Sequence, residues 1–239
     1  MRCHHEMDIS KLCVASVPIF NHLSNLEMQE IMESGRTKFF KKGEFIFQPG
    51  DPSENLLIIH TGRVKIYRVS DTGKEQLLRI LEPGDFIGDL SIFTNETIVN
   101  YAEAMENTEI CTIHRTDMQQ LLVTHPLISV KILEEFSKRL KEAEKTIERL
   151  SLQDAEKRIA SYLVELVQSI NPSQAIQLPL QLTLPMSKKD IASYIGTTKE
   201  TLSRRLSVFQ ENGWITLKGQ RNVTILDFEA LLQCQAPAL

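Results

Sequence analysis

The stretch Ser187–Gly213 constrains the fold of this chain more than any other part of it. Ser187 and Asp190 form a start signal for a first helix, because a serine oxygen and an acidic group can satisfy the free N–H groups of its first turn. Gly196 is expected to end that helix, since glycine enters the left-handed conformation at little steric cost. The spacing Thr197-x-x-Glu200 is that of a capping box. The pattern therefore predicts two short helices joined by a tight turn.

The second of these helices has an apolar face and a polar face. Leucines and a phenylalanine recur at steps of four and three on one side, whereas Glu200, Ser203 and Arg204 share the opposite side. Arginine can bind guanine, a carboxylate can accept from cytosine, and serine can do either, so this helix could read bases. The interpretation is a helix-turn-helix with a recognition helix. The alternative is that Glu200 only caps the helix and Arg204 is a solvated charge, because such helix pairs also occur without DNA binding.

The residues after Gly213 favour the DNA-binding interpretation. Trp214–Leu226 reads as two β-runs around a basic turn, Lys218–Asn222, which is typical of a wing. From Met186 to Asn222 there are seven basic and three acidic residues, a net charge of +4 in a chain whose net charge is −4. A local basic surface on an acidic protein favours phosphate binding. The predicted DNA-contacting residues are Ser187, Lys188, Lys189, Thr198, Lys199, Glu200, Ser203, Arg204, Lys218 and Arg221.

The remaining chain excludes several classes of protein. No apolar run approaches the ~20 residues that cross a bilayer, and the N-terminus lacks the apolar core of a signal peptide. We therefore expect a cytoplasmic protein without a membrane partner. Four cysteines in such a chain are expected to be reduced by default and to form no disulfide framework.

Between Thr37 and Arg115 the pattern is that of β-structure. A short amphipathic helix, Asn25–Gly35, precedes it. Many short strands separated by glycine-containing turns predict a sandwich, jelly roll or barrel. The strand candidates are Phe39–Phe40, Glu44–Phe47, Leu56–His60, Val64–Val69, Gln76–Leu81 and Ile110–Ile113.

A long helix is predicted to begin after His125. Its apolar residues alternate in steps of three and four between charged flanks, which is the spacing of a coiled-coil seam. We interpret it as a dimerisation helix, because a two-fold symmetric DNA site calls for a dimer; the alternative is a helix packed on its own domain. The predicted seam is Leu133, Phe136, Leu140, Ala143, Ile147 and Leu150.

These elements divide the chain into four predicted parts and give an α+β fold. A Cys/His tail spans residues 1–18, and a jelly-roll sensory domain of the double-stranded β-helix kind spans residues 19–125. The dimerisation helix spans residues 126–153, and a winged helix-turn-helix spans residues 154–239, with an edge strand predicted within Ile176–Leu184. This order resembles the CRP/FNR family of bacterial transcription regulators across nearly the whole chain. Gly84–Asp89 looks like the glycine-rich turn of that family's β-roll, and Ile191–Arg204 looks like its helix-turn-helix.

Two departures refine the resemblance. In the cyclic-AMP-binding branch, an acid for the ribose, here Asp89, is followed ten residues later by an Arg-Ser pair for the phosphate. This chain has Val99-Asn100 there, and valine offers a phosphate neither a cation nor a donor. Unless Arg63, Arg68 or Arg79 substitutes, we expect no cyclic nucleotide to bind.

The second departure points to the FNR branch. Glu200-Thr-Leu-Ser-Arg204 resembles its E-x-x-S-R pattern, which implies inverted half-sites resembling TTGAT. The surroundings of Cys13 and Cys111 look like those of two cysteines that hold the FNR iron–sulfur cluster. The other two cluster positions fall on Met7 and His4, so the four thiolates of a [4Fe–4S] cluster are not matched. The pattern is similar to FNR-like proteins of low-GC Gram-positive bacteria.

Three hypotheses for the cysteines stay open. Cys111 could form a reversible disulfide with Cys3 or Cys13. Zinc, copper(I) or a modified iron cluster could bind to a set of soft and imidazole donors. Alternatively, Cys111 is a small buried apolar residue and the tail is disordered. The metal candidates are Cys3, His4, His5, Cys13 and Cys111.

The predicted function is a homodimeric, sequence-specific DNA-binding regulator, whose partners are double-stranded DNA and, if it activates, RNA polymerase. The rival from another class is a cupin-like metal-dependent enzyme. That enzyme needs two or three converging histidines, whereas His60 and His114 are isolated and form no H-x-H pair. We therefore expect no enzymatic activity.

Overall fold

The computed structural model describes residues 13–88, 93–94, 97–170 and 176–235. Its chain divides into two compact units, Met1–Arg139 and Leu140–Leu239, whose boundary falls inside one long helix. The predicted α+β class is confirmed: a β-roll with short helices precedes the long helix, and a winged helix-turn-helix follows it. The division into four parts stays a prediction.

The first unit is a two-sheet roll. A 3₁₀ helix, Cys13–Ser16, and helix α1, Asn25–Ser34, precede it. One sheet has the order β1-β8-β3-β6 and the other has the order β2-β7-β4-β5. The strands are β1 Arg36–Phe40, β2 Phe45–Phe47, β3 Asn55–Thr61, β4 Val64–Val69, β5 Glu75–Leu81, β6 Phe86–Ile87, β7 Tyr101–Ala104 and β8 Thr108–His114.

Two apolar clusters lie on opposite faces of the sheet that contains β8. Ile59 and Ile110 pack with side chains of the other sheet, including Ile66, and fill the interior of the roll. Cys111 and Ile113 lie in a second cluster, which joins that sheet to the N-terminal segment and to the flanking helices. Adjacent residues of β8 therefore enter different cores, as the alternation of a strand requires.

Two helices follow the roll. Helix α2, Arg115–Thr124, begins directly after β8, and helix α3, Pro126–Leu152, is the predicted long helix. Proline is suited to the first position of a helix, because its fixed φ is helical and its missing N–H would have no partner there. The buried Ile128 and Ile132 attach the start of α3 to the second apolar cluster.

The second unit contains the C-terminal half of α3 and the winged helix. Helix α4, Ala155–Ile170, leads to a three-stranded sheet of order β10-β11-β9, so the predicted edge strand lies at an edge. Val223 of the central strand pairs with Leu217 on one side and with Leu182 on the other. The elements are β9 Leu180–Thr183, α5 Lys188–Tyr194, α6 Lys199–Glu211, β10 Ile215–Lys218, β11 Asn222–Ile225 and α7 Phe228–Gln235.

Candidate nucleic-acid interface

Helix α5 begins as its sequence predicts. Ser187 is the N-cap, and its hydroxyl accepts from the backbone N–H of Asp190 at 3.2 Å and donates to the Asp190 carboxylate at 2.5 Å. Ile191, Ala192 and Ile195 are buried, so the predicted apolar face is the one that packs. The cap and the apolar face together fix where the helix starts and how it is rotated.

The turn between α5 and α6 differs by one residue from its prediction. Gly196 has a φ of +68°, as expected for a glycine that ends a helix. The backbone N–H of Thr197 donates to Ala192 O at 2.8 Å, so Thr197 still belongs to the end of α5. The cap of α6 is Thr198, whose hydroxyl accepts from the N–H of Thr201 at 3.1 Å. The predicted Thr197–Glu200 capping box is therefore wrong, and Glu200 does not have the capping role that it implied.

Helix α6 presents the predicted polar face to solvent. Glu200 and Arg204 are exposed and Ser203 is half-buried, whereas Leu202, Leu206 and Phe209 are buried on the opposite side. Arg204 makes no hydrogen bond or ion pair with any other described residue. An exposed guanidinium, carboxylate and hydroxyl on one helix face can meet base edges in a major groove.

The neighbouring arginine has a different role, which the sequence pattern did not reveal. Arg205 forms an ion pair of 2.7 Å with Glu156 of α4, so its side chain is used inside the protein. Gln210 accepts from the N–H of Leu217 at 2.9 Å and thereby ties α6 to the first strand of the wing. Both residues hold the recognition helix in place, and neither has a helix-face spacing that could have identified its partner.

The wing carries the remaining predicted phosphate contacts. Lys218 and Arg221 are exposed at the two ends of the turn between β10 and β11, where Gly219 has a φ of +68°. Lys189 and Lys199 are also exposed, and Lys188 is half-buried. The basic side chains and the polar face of α6 therefore all belong to the same small domain, with cations suited to phosphate oxygens.

The predicted seam of α3 is largely exposed within a single chain. The side chains of Leu133, Leu140 and Ile147 are 62%, 63% and 63% exposed, and Ala143 and Leu150 are exposed as well. Phe136 is the exception: it packs against the second apolar cluster and meets the ring of Phe93 edge-on at 6.3 Å. A row of exposed leucine and isoleucine at seven-residue intervals favours helix pairing.

Of the three candidate cysteines Cys3, Cys13 and Cys111, the structure describes the side chain of Cys111. It is 4% exposed on β8, opposite Thr37 and Ile58, and it is disulfide-bonded, so the expectation that the cysteines are reduced is wrong for Cys111. Cys234 is free and burial raises the pKa of its thiol. Cys3, His4 and His5 lie outside the described residues, as does the side chain of Cys13. Among described residues, no group of three His, Cys, Asp or Glu side chains is placed to hold a metal ion.

At the position of the phosphate-binding pair, Val99 and Asn100 supply no cation. Val99 is 55% exposed, and Asn100 accepts from the Arg68 guanidinium at 2.8 Å. Arg63 donates to Glu106 at 3.0 and 3.3 Å, and that hydrogen bond raises the pKa of Arg63. Two of the arginines that could replace the missing phosphate-binding pair are therefore already bonded within the protein. Asp89 lies outside the described residues.

These features define the chain as a DNA-binding regulator with a β-roll and a winged helix-turn-helix. Residues 37–125 match the cyclic nucleotide-binding domain family, and residues 157–234 match the Crp-like helix-turn-helix domain family. The chain belongs to the CRP/FNR family of transcription regulators, as its residue patterns predicted. The Crp-like helix-turn-helix model and the relatives are those of transcription regulators, which confirms the prediction that the protein is not an enzyme.

Two relatives and one solved structure illustrate the similarity. The probable transcriptional regulator flp of Lacticaseibacillus casei is 32% identical over 217 residues, which cover 91% of this chain and 95% of that protein. The fumarate and nitrate reduction regulatory protein of Vibrio cholerae is 31% identical over 228 residues, covering 95% and 88%. The structure of FixK2 from Bradyrhizobium japonicum is 25% identical with a TM-score of 0.70, covering 86% of this chain and 99% of that one.

No described helix is both long and apolar enough to cross a membrane.

Proposed function

We propose that this regulator binds DNA as a homodimer and recognises inverted half-sites resembling TTGAT. The observation that carries the dimer is the exposed seam of α3, where three large apolar side chains more than 60% exposed recur every seventh residue. Pairing two such helices removes that apolar surface from water. It also presents two recognition helices to a two-fold symmetric site.

The half-site proposal rests on the exposed face of α6. Glu200, Ser203 and Arg204 supply the base contacts, whereas the exposed lysines and the wing supply phosphate contacts and most of the sequence-independent affinity. The similarity to the regulators of Lacticaseibacillus casei and Vibrio cholerae supports an FNR-like protein, and the first supports the branch of low-GC Gram-positive bacteria. In this role the protein is cytoplasmic and, where it activates, contacts RNA polymerase.

Selection of binding sites from a random-sequence duplex library tests this proposal without assuming the site. The expected result is recovery of paired TTGAT-like sequences in inverted orientation around a constant spacer. Recovery of unpaired or directly repeated sequences would refute the symmetric dimer, and recovery of an unrelated motif would refute the assignment of base contacts.

We further propose that the signal is oxidation of Cys111 with Cys13. Cys111 is disulfide-bonded and lies in the same apolar cluster as Val14, the residue that follows Cys13. The 3₁₀ helix Cys13–Ser16 contacts β3, which pairs with β8 at Cys111. Two thiols lose two electrons and two protons to an oxidant as the S–S bond forms, and a thiol reductant reverses the step.

The same cysteine argues against an ordinary iron–sulfur cluster. Four thiolates are needed, and the chain has four cysteines in all, but the disulfide-bonded Cys111 offers no thiolate and Cys234 is a half-buried thiol in α7. The donor set therefore does not fit that cluster. A metal held by Cys3, His4 and His5 together with Cys13 and Cys111 is the competing proposal.

The variant Cys111→Ser separates these proposals. We expect the parent's DNA affinity to change with diamide and to recover with a thiol reductant, and Cys111→Ser not to respond. Cys234→Ser is the matched control, because that thiol is free, and it should respond as the parent does. If Cys111→Ser responds like the parent, the cysteine is structural. A response of the parent to chelators instead of diamide would favour the metal.

A cyclic-nucleotide-responsive regulator is the second candidate, favoured by the match of residues 37–125 to the cyclic nucleotide-binding domain family. We expect it to fail, because Val99 offers no donor and Arg68 is bonded to Asn100. Calorimetric titration with cyclic AMP and cyclic GMP tests it, and micromolar binding of either would establish this candidate instead.

A further inference from the structure

Arg158 of α4 connects three segments of the second unit. Its Nε donates to Ile195 O at 2.8 Å and one terminal nitrogen donates to Gly196 O at 3.3 Å. Its other terminal nitrogen donates to Gln153 O, directly after the end of α3. One guanidinium thus binds the turn of the helix-turn-helix and the end of the long helix at the same time.

The carbonyls that Arg158 binds are those that a helix leaves without partners. The last carbonyls of an α-helix have no N–H within the helix, and a cation near them also interacts favourably with the helix dipole. Arginine suits this position because its donors lie in a planar, rigid fork, whereas a lysine ammonium is a single point of charge. The hydrogen bonds to the carbonyls of Ile195 and Gly196 therefore link the orientation of the turn to the orientation of the Arg158 side chain.

Two ion pairs join the same helix α4 to its neighbours. Glu165 bonds Lys145 at 2.9 Å and Arg149 through both carboxylate oxygens, which ties α4 to α3. Glu156 bonds Arg205 at 2.7 Å, which ties α4 to the recognition helix. Helix α4 therefore links the dimerisation helix to both helices of the helix-turn-helix.

Packing and polar contacts both contribute to this joint, where the rings of Tyr162 and Tyr194 meet edge to face at 6.2 Å. A small cavity lies between the end of α3, α4 and the end of α5, and Arg149, Arg158, Tyr162 and Tyr194 are among the residues that line it. The Tyr162 hydroxyl is buried and has no hydrogen-bond partner among the described residues. Directional hydrogen bonds add an orientation to this packing, and Arg158 makes two that reach the turn.

We infer that Arg158 is a positioning residue that fixes the recognition helix relative to the dimerisation helix, and so sets the half-site spacing that the dimer accepts. This inference rests on the proposed homodimer and its inverted half-sites. The seam residues from Leu140 onward lie in the same compact unit as α6. The separation of two recognition helices in a dimer therefore depends on how firmly this unit holds α6 to α3.

Spacing selectivity distinguishes positioning from ordinary stabilisation. Adding or removing one base pair turns one half-site by about 35° and moves it by about 3.4 Å relative to the other. A rigidly held pair of recognition helices rejects that change, whereas a loosened pair tolerates it. A variant that is merely less stable loses affinity for every duplex by the same factor.

The experiment measures full-length protein by fluorescence anisotropy on duplexes with two inverted TTGAT half-sites. The duplexes carry the parent's best spacer, that spacer plus or minus one base pair, or a single half-site. We expect the parent to lose about tenfold or more in affinity when the spacer changes, comparable to one mismatched base pair. Arg158→Met should lose about threefold or less, with single half-site affinity within about twofold of the parent.

Two further variants make the result specific. Arg158→Lys keeps the charge but loses the fork, and it should also show a reduced spacing penalty. Lys157→Met removes a charge at the next position, where the described hydrogen bond involves only the backbone N–H, and should keep the parent's penalty. Fluorescence of Trp214, which packs on Phe209 at 5.0 Å, checks that the winged helix is folded. If Arg158→Met does not fold, Arg158→Lys carries the test.

Several outcomes would overturn the inference. One is the full spacing penalty in the folded Arg158 variants, and another is an equal loss on all duplexes, which is the signature of stability alone. Parent-like selectivity in Arg158→Lys would show that charge suffices, and a reduced penalty in Lys157→Met would show that any lost charge has this effect. If the parent prefers no spacing at all, the dimer proposal itself fails, and this inference fails with it.

Discussion

Replacing Arg204 with alanine tests the base contacts, because the structure offers a matched control one residue away. Arg204 is exposed and unpaired among the described residues, so Arg204→Ala should leave the free energy of unfolding within ~0.5 kcal/mol of the parent. A lost arginine–guanine contact costs ~1–3 kcal/mol of binding free energy. Two copies in a dimer double that to ~2–6 kcal/mol, or roughly 30-fold to 20,000-fold in affinity for the cognate site.

The control is Arg205→Ala, which removes the same kind of side chain from the adjacent position, where it contacts α4. Its ion pair with Glu156 is partly exposed, so we expect a stability loss of at most ~1 kcal/mol and little change in base preference. The assay is anisotropy titration against the cognate duplex, a duplex with the G·C pair of each half-site replaced, and random DNA. Arg204→Ala should bind the first two duplexes almost equally. Equal losses on cognate and random DNA, or relaxed G·C preference in Arg205→Ala, would refute the assignment.

Three further predictions concern the seam, the wing and a half-buried ion pair. Leu140→Glu should make the protein monomeric, as measured by light scattering, because unpaired charges in an apolar seam are costly. The exposed control Lys141→Glu should stay dimeric. If Leu140→Glu stays dimeric, the dimer contact does not include Leu140. Lys218→Ala should lower the affinity for cognate and random DNA by the same factor, and it should reduce the slope of log affinity against log salt concentration by about 0.9 per lost phosphate contact. A loss of affinity that depends on DNA sequence would contradict a phosphate role. Although burial raises the pKa of Glu165, hydrogen bonds from Arg149 and Lys145 lower it overall. The ionised Glu165 therefore stabilises the fold at pH values above the pKa that Glu165 has in the unfolded chain, and this stabilisation is lost as the pH falls through its pKa in the folded protein. The free energy of unfolding of Glu165→Gln should therefore depend less on pH in the acid range. An unchanged pH dependence would contradict this.

The local patterns of the winged helix allowed most of it to be predicted. Caps, glycines and helical spacing act within a few residues, so the helix pair, the buried Leu202 and the positive φ of Gly196 followed from the sequence. The position of the N-cap at Thr198 did not follow from the sequence, because the adjacent Thr197 has the same hydroxyl and could cap the helix equally well. The choice between them depends on the hydrogen bond from Thr197 to Ala192 O, which ends the preceding helix.

Contacts between distant residues were not predictable in the same way. Strand β7, Tyr101–Ala104, has two alanines facing the roll interior and too weak an apolar pattern to be recognised. The three hydrogen bonds of Arg158 connect residues up to 38 positions apart, and nothing in the spacing of α4 marks that arginine for the role. Arg205 and Arg204 likewise differ only in the direction that the folded helix gives them.

The most direct test of the proposed dimer compares two duplexes in one anisotropy titration of the reduced full-length protein. One duplex carries two inverted TTGAT half-sites, and the other has one of them scrambled at constant length. Because the second half-site is bound at high effective concentration, we predict that scrambling it weakens binding by a factor on the order of 10²–10⁴. Equal affinity for the two duplexes would contradict a homodimer that reads an inverted site.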